Sequence, residues 1–284
     1  MLHSFLIQLT HGICLLGQHF PFQLKRIHTA LGMRRIATHC TQHQSVELWQ
    51  SALATEFRVA GAVHAFHHRR RYLTGLAWDL IAASALLRPS GPPRSVLMLG
   101  LAGGTAFRIL RQLLPECALT AVDIDSGIVR LARRHMELDV LEIEVIVDDA
   151  YRWLAANRRR FDVVIDDIYL AGRTDVFRPK AWDPRLLARL RRAVAPGGLL
   201  TVNLVTGPGH RAIQSLTRAV LRRSFPVVRS LRTPGAMNEV LVAGRDVATR
   251  SMLAGYTKQF TDRADRRHWQ AIQVHRLGGA AADC

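Results

Sequence analysis

The feature that most constrains this chain is an alternation. Between residues 95 and 204, five short apolar runs are separated by helical stretches. The runs are Ser95–Leu99 (SVLML), Leu119–Val122 (LTAV), Ile143–Val147 (IEVIV), Phe161–Ile165 (FDVVI) and Leu199–Leu204 (LLTVNL). Helical patterning marks 106–114, 127–136, 150–156 and 184–194, and again 210–223. Short runs that are apolar throughout suit strands buried on both faces. Their alternation with helices predicts an α/β, Rossmann-like fold: a mostly parallel sheet with helices on both faces. Val227–Leu231 and Glu239–Ala243 break the rhythm. The loop between them, around Thr233-Pro234-Gly235, is too short for a parallel crossover. An antiparallel C-terminal hairpin at the sheet edge follows, making seven strands in all.

The rest of the chain is organised around that core. Residues 1–45 read as an N-terminal extension and a candidate for disorder. Residues 46–94 read as a lead-in with one helix, over Leu73–Leu87. The main domain spans 95–244, and 245–284 is expected to be a helical or irregular tail. Ser4–Gly17 is apolar, but it lacks a basic leader and the length of a membrane span, so no membrane attachment is expected. Cys14, Cys40, Cys117 and Cys284 form no C-x-x-C pair. Free thiols in a reducing cytoplasm account for them. His64 and His68 would share a helix face. Arg69, Arg70 and Arg71 follow directly, and the convergent ligands of a metal site are missing, so no metal is expected.

Charge adds a second constraint. The chain has 39 Lys plus Arg against 22 Asp plus Glu, a formal net charge of +17. Such an excess suggests nucleic acid. All but Lys25, Lys180 and Lys258 of these basic residues are Arg, which looks more like a GC-rich genome than a phosphate-binding surface. The excess also lies in the flanks: residues 96–206 are close to neutral. The Arg69–Arg71 and Arg158–Arg160 runs have only Tyr72 as a stacking aromatic. Nucleic acid is therefore the weaker candidate partner.

Chemistry is expected at the carboxyl ends of the strands, where open α/β sheets bind ligands. Gly100-Leu101-Ala102-Gly103-Gly104 joins the first run to its helix, and glycines there let backbone approach a ligand. Asp123 ends the next strand, 23 residues after Gly100. An acid at about that spacing is placed to accept from ribose hydroxyls. Asp125, Asp148, Asp149, Asp166 and Asp167 follow later strand ends. All six acids should converge on one cleft edge with no cluster of Lys or Arg interleaved, which suits a cationic or amine-bearing ligand. Asp125 and Asp149 are also placed to cap helices, and Ser126 is a good N-cap candidate.

Val96–Thr105 (VLMLGLAGGT), Ala121–Asp125 (AVDID), Val147–Ala150 (VDDA), Phe161–Tyr169 (FDVVIDDIY) and Leu187–Leu199 resemble class I methyltransferase-fold proteins of the spermidine synthase type. The resemblance covers about residues 46–244. It implies a transferase with an S-adenosyl-type donor, either S-adenosylmethionine or its decarboxylated form, and no metal. The implied reaction is transfer of an aminopropyl group to an amine acceptor; the alternatives are methyl transfer from S-adenosylmethionine to an unknown acceptor, and a non-catalytic or nucleic-acid-binding protein on the same fold. It places Gly100, Ala102, Gly103 and Gly104 under the donor's arm and Asp123 with Ile124 at the nucleoside. Asp149 and Ala150 fall at the adenine, and Asp167 at the reacting end with Tyr169 beside it. Gln50-Ser51 resembles the Gln-Ser that often precedes this domain. Polyamine synthases are often dimers, so a homodimer is an open possibility. Three departures stand out. The Gly-Gly-Gly-Asp-Gly-Gly loop has Gly103 at its Asp position. The Asp-Ser-Ser-Asp motif becomes Asp167-Ile168-Tyr169-Leu170. The Tyr-His-Glu ahead of the first strand becomes Trp78-Asp79-Leu80, with Trp78 a candidate cleft wall or core residue.

Overall fold

The computed structural model describes residues 32–172, 176–180 and 182–278. Residues 1–31, most of the expected extension, lie outside them. The rest of that stretch holds strand β1 (Arg34–Cys40), which pairs with β2 (Ser45–Gln50). The expected boundary at residue 45 is thus corrected. β3 (Ala54–Val59) and β4 (Ala62–His68) complete a four-stranded antiparallel sheet. His64 and His68 therefore lie on a strand and not on a helix. Period-two burial of Ala65 and His67 gives the reason.

Helix α1 (Ala77–Ala85) leads into the main domain. There β5 (Ser95–Leu99), β6 (Ala118–Asp123) and β7 (Ile143–Val147) alternate with α2 (Thr105–Leu113) and α3 (Ser126–His135). Helix α4 (Ala150–Ala156) precedes β8 (Phe161–Asp166). A two-stranded ribbon, β9 (Leu170–Ala171) with β10 (Val176–Phe177), then leads to α5 (Pro184–Ala193). Strand β11 (Val194–Val205), α6 (Arg211–Ser224), β12 (Val227–Arg232) and β13 (Asn238–Gly244) follow. Helices α7 (Ser251–Ala254) and α8 (Arg263–Gln270) precede β14 (Gln273–Arg276).

The main sheet has eight strands, in the order β14-β12-β13-β11-β8-β5-β6-β7. Strands β11, β8, β5, β6 and β7 run parallel; β13, β12 and β14 join antiparallel. The expected seven strands are corrected to eight, and the β12–β13 hairpin lies inside the edge. The extra strand, QVHR, is mostly exposed and has no apolar run, so only its backbone pairing with β12 reveals it.

Strand residues alternate between two cores, as the period of two requires. Val96, Met98, Val163 and Ile165 pack with α1, α2 and α3. Leu97, Leu99, Val164 and Val202 pack with α4, α5 and α6. Both faces are therefore covered, and the parallel strands can afford to be apolar throughout.

Candidate functional site

Chain direction across the sheet reverses between β5 and β8. At such a switch point the loops part and leave a crevice. A cleft of about 520 Å³ opens there. The two strand ends are nearly in contact: Asp167 N–H donates to the Leu99 carbonyl at 3.0 Å. A Cβ on Gly100, whose φ is +97°, would sit 2.5 Å from the Asp167 carbonyl oxygen. Only glycine fits.

Asp123, half-buried at the end of β6, ties the glycine loop down. One carboxylate oxygen accepts from the Leu101 and Ala102 N–H groups, at 2.8 and 3.1 Å. The other accepts from Asp125 N–H at 2.9 Å. Burial holds its pKa above the ordinary carboxylate value, and the three N–H donors pull the other way. Ala102 takes a left-handed φ of +47°. That conformation is costly for a residue with a side chain and clusters at ligand sites. Ile124 is 38% exposed and lines the cleft as an apolar wall.

Asp167 lines the same cleft, half-buried just past the end of β8. Asn203 of β11 donates to it at 2.8 Å, and Asn238 of β13 donates to Asn203 at 3.0 Å. Burial pushes the Asp167 carboxyl up to about 7, against the opposing pull of the Asn203 bond. The result is a fixed carboxylate poised to take a proton near neutral pH. Neither Asn was singled out from sequence. Asn203 had a signal, being the polar residue inside LLTVNL near a strand's carboxyl end.

The six acids do not all converge. Asp123, Asp125 and Asp167 line the cleft; Asp148, Asp149 and Asp166 do not. Asp125 is buried and caps α3 through Gly127 and Ile128 N–H, at 2.9 and 3.2 Å. It also accepts from Thr41 at 2.6 Å and Gln44 at 3.2 Å. It is thus the N-cap, and Ser126 is the first helical residue. Asp149 caps α4 through Tyr151 and Arg152 N–H, and Asp148 pairs with Arg152. Asp166 points to the other face of β8, where Arg178 donates to it at 2.8 and 2.7 Å and Trp182 at 3.0 Å. Single basic residues do sit among these acids, Arg152 beside Asp148 and Arg178 beside Asp166.

Other candidates divide likewise. Gln50, Gly103, Gly104 and Ala150 do not line the cleft. Gly103 packs beneath β4, where a Cβ would collide with that of Ala65 and crowd Phe57. Gly104 precedes α2 with a φ of +79°. Tyr169 lines the cleft, but its hydroxyl donates to the Asn203 carbonyl and accepts from Val205 N–H, both at 3.0 Å. The ring is a wall with its hydroxyl committed to backbone. Trp78 both lines the cleft and packs on the core. Its neighbour Asp79 is fully buried and accepts from the N–H groups of Thr74 and Gly75 and from the Thr74 hydroxyl. It thereby shapes the turn at one end of the cleft. His43 and Gln44 line the cleft as well, brought there by the contact of Thr41 with Asp125. Among the described residues, no group of three or more His, Cys, Asp or Glu side chains could hold a metal. No described helix is long and apolar enough to cross a membrane.

A methyltransferase-domain family matches residues 96–198. A probable polyamine aminopropyl transferase of Bifidobacterium longum is 32% identical over 133 residues, 46% of this chain and 28% of that one. An eEF1A lysine and N-terminal methyltransferase homolog of Drosophila melanogaster is 26% identical over 163 residues, 54% of this chain and 24% of that one. The chain thus spans about a quarter of the length of these two curated relatives. Spermidine synthase in complex with the transition state analogue AdoDATO superposes with a TM-score of 0.66 over 84% of both chains, at 14% identity. That likeness speaks for the fold. The fold and the matched domain define a class I methyltransferase-fold protein. Within that class its sequence likeness runs both to a polyamine aminopropyl transferase and to a methyltransferase.

Proposed function

We propose that this chain is a transferase that moves an aminopropyl group from an S-adenosyl-type donor to an amine. One observation carries the reading. The glycine loop pinned by Asp123 and the raised-pKa carboxyl of Asp167 line a single cleft, at neighbouring strand ends. The residues fit a nucleoside. Asp123 uses three of its roughly four lone-pair sites on backbone, leaving one for a ribose hydroxyl. Ile124 offers an apolar face for a base. The volume lies within the usual range of small-molecule pockets.

The donor's sulfonium makes the adjacent carbon electrophilic and leaves as a neutral thioether. The protein's task is then positioning and proton removal. Asn203 fixes the rotamer of Asp167. The Asp167 carboxylate holds the acceptor's nitrogen and takes its proton as the N–C bond forms and the C–S bond breaks. Tyr169 and Trp78 wall the acceptor.

Methyl transfer to an unidentified acceptor is the second reading. Gly103 favours it: with Ala65 and Phe57 closed over that position, the loop has no room for the carboxylate that polyamine synthases carry there. Titration with S-adenosylmethionine and with its decarboxylated form, followed by product analysis, separates the two. Consumption of the decarboxylated donor with release of methylthioadenosine supports aminopropyl transfer. Consumption of S-adenosylmethionine with release of S-adenosylhomocysteine supports methyl transfer. If neither donor binds, both readings fall. Asp123→Ala should weaken nucleoside binding by roughly 1.5–3 kcal/mol, the scale of a charged hydrogen bond. Calorimetry checks this, and unchanged affinity would place the nucleoside elsewhere.

A further inference from the structure

Strand β4 carries one residue more than its partner. Phe57 pairs with Ala65 and Arg58 with Val63, so His64 stands unpaired as a β-bulge. Bulges beside binding sites re-aim a side chain. Here His64 lines the cleft, and its buried Nε2 has no hydrogen-bond partner. Unpaired buried nitrogens are rare in folded proteins and call for an explanation. The residues next to it are clamped to the glycine loop. Ala65 closes over Gly103, Phe66 N–H donates to the Thr105 hydroxyl at 2.9 Å, and that hydroxyl donates to the Phe66 carbonyl at 3.1 Å. His64 is therefore fixed beside the loop, where the donor's arm would pass.

Burial lowers the imidazole pKa to about 4, so the ring is neutral near pH 7. In the tautomer with hydrogen on Nδ1, Nε2 presents a lone pair. A neutral acceptor that resists protonation suits a cationic ligand group. The loop itself offers no carboxylate, and Ala65 leaves no room for one at Gly103.

We propose that His64 binds the primary amine on the donor's arm, accepting its hydrogen bond at Nε2 in place of a loop carboxylate. This rests on the donor reading above. Both S-adenosylmethionine and its decarboxylated form carry that amine; methylthioadenosine shares their nucleoside and lacks it. The test is calorimetry with all three ligands on the wild type, H64F and H64Q, with thermal melts to confirm folding. H64F should weaken both amine-bearing ligands by about tenfold, one neutral-to-charged hydrogen bond, and leave methylthioadenosine unchanged. H64Q, whose amide oxygen can accept, should recover part of the loss and serves alone if H64F does not fold. Equal losses for all three ligands, or no loss for the amine-bearing pair, overturns the role of His64 and leaves the donor reading intact. A wild type that binds none of the three overturns both.

Discussion

Asp167→Asn should leave the donor bound and slow turnover by about 10²–10⁴-fold, the usual worth of a positioned base. Asn is nearly isosteric, and its amide oxygen can keep the bond from Asn203. What it cannot do is take a proton. The same argument sets the pH dependence. Burial pushes the Asp167 carboxyl up to about 7. The active form is the carboxylate, so the wild-type rate should climb with pH and level off above about 7, while the variant lacks that limb. Stability moves the other way. An unfolded chain ionises this group near the ordinary carboxylate value, and the fold resists ionisation until about 7. The wild type therefore loses stability as pH rises between those values, and the loss persists above them. The Asn variant should melt higher than wild type at pH 8. Rate profiles and melts at pH 5 and pH 8 check both halves. A rate that ignores the substitution would remove Asp167 from the chemistry.

Arg178→Ala should cost about 3–5 kcal/mol of folding stability, the range for removing one member of a buried ion pair. Both Arg178 and Asp166 are almost wholly inaccessible, with side chains 1% exposed. Arg178 gives Asp166 both Nη1 bonds and spends Nη2 on the Asn203 carbonyl at 2.8 Å. Without it, the partners of Asp166 among the described residues are Trp182 and the weak backbone contact from Ile168, and a buried charge is left without compensation. The damage should reach the site, since Asn203 also positions Asp167. Denaturant unfolding gives the magnitude. Adding Asp166→Leu should recover much of the loss, because an apolar replacement of a whole buried pair is often tolerated. If the single variant is as stable as wild type, the pair carries no structural weight.

Strands with their own apolar run were readable from sequence: Ser95–Leu99 and Ile143–Val147 form over those same residues, as does helix Ala150–Ala156. Strands without one were missed. In RRIATHC most side chains are exposed, and QVHR is similar. Backbone pairing alone makes them strands, and pairing partners are not local information. The site divides in the same way. Asp123 and the glycine loop belong to one strand–loop–helix–strand unit, so spacing found them. His43 and Gln44 reach the cleft through Thr41 and Asp125, which are 84 residues apart in the chain. The pairing of Asp166 with Arg178 depends on a segment that has no regular pattern.

Asp166 and Asp167 are chemically identical neighbours with opposite duties, and only the pleat of β8 tells them apart. One is neutralised against Arg178 in the interior; the next faces the cleft. A slip of β8 by one residue against β5 would swap their faces, turning Asp166 towards the cleft side of the strand and Asp167 towards the interior. The alternation along VVID holds that phase, since Val163 and Ile165 belong to one core and Val164 to the other. A one-residue insertion or deletion within β8 should therefore abolish function even where the fold survives, whereas a two-residue change keeps the two acids on their own faces.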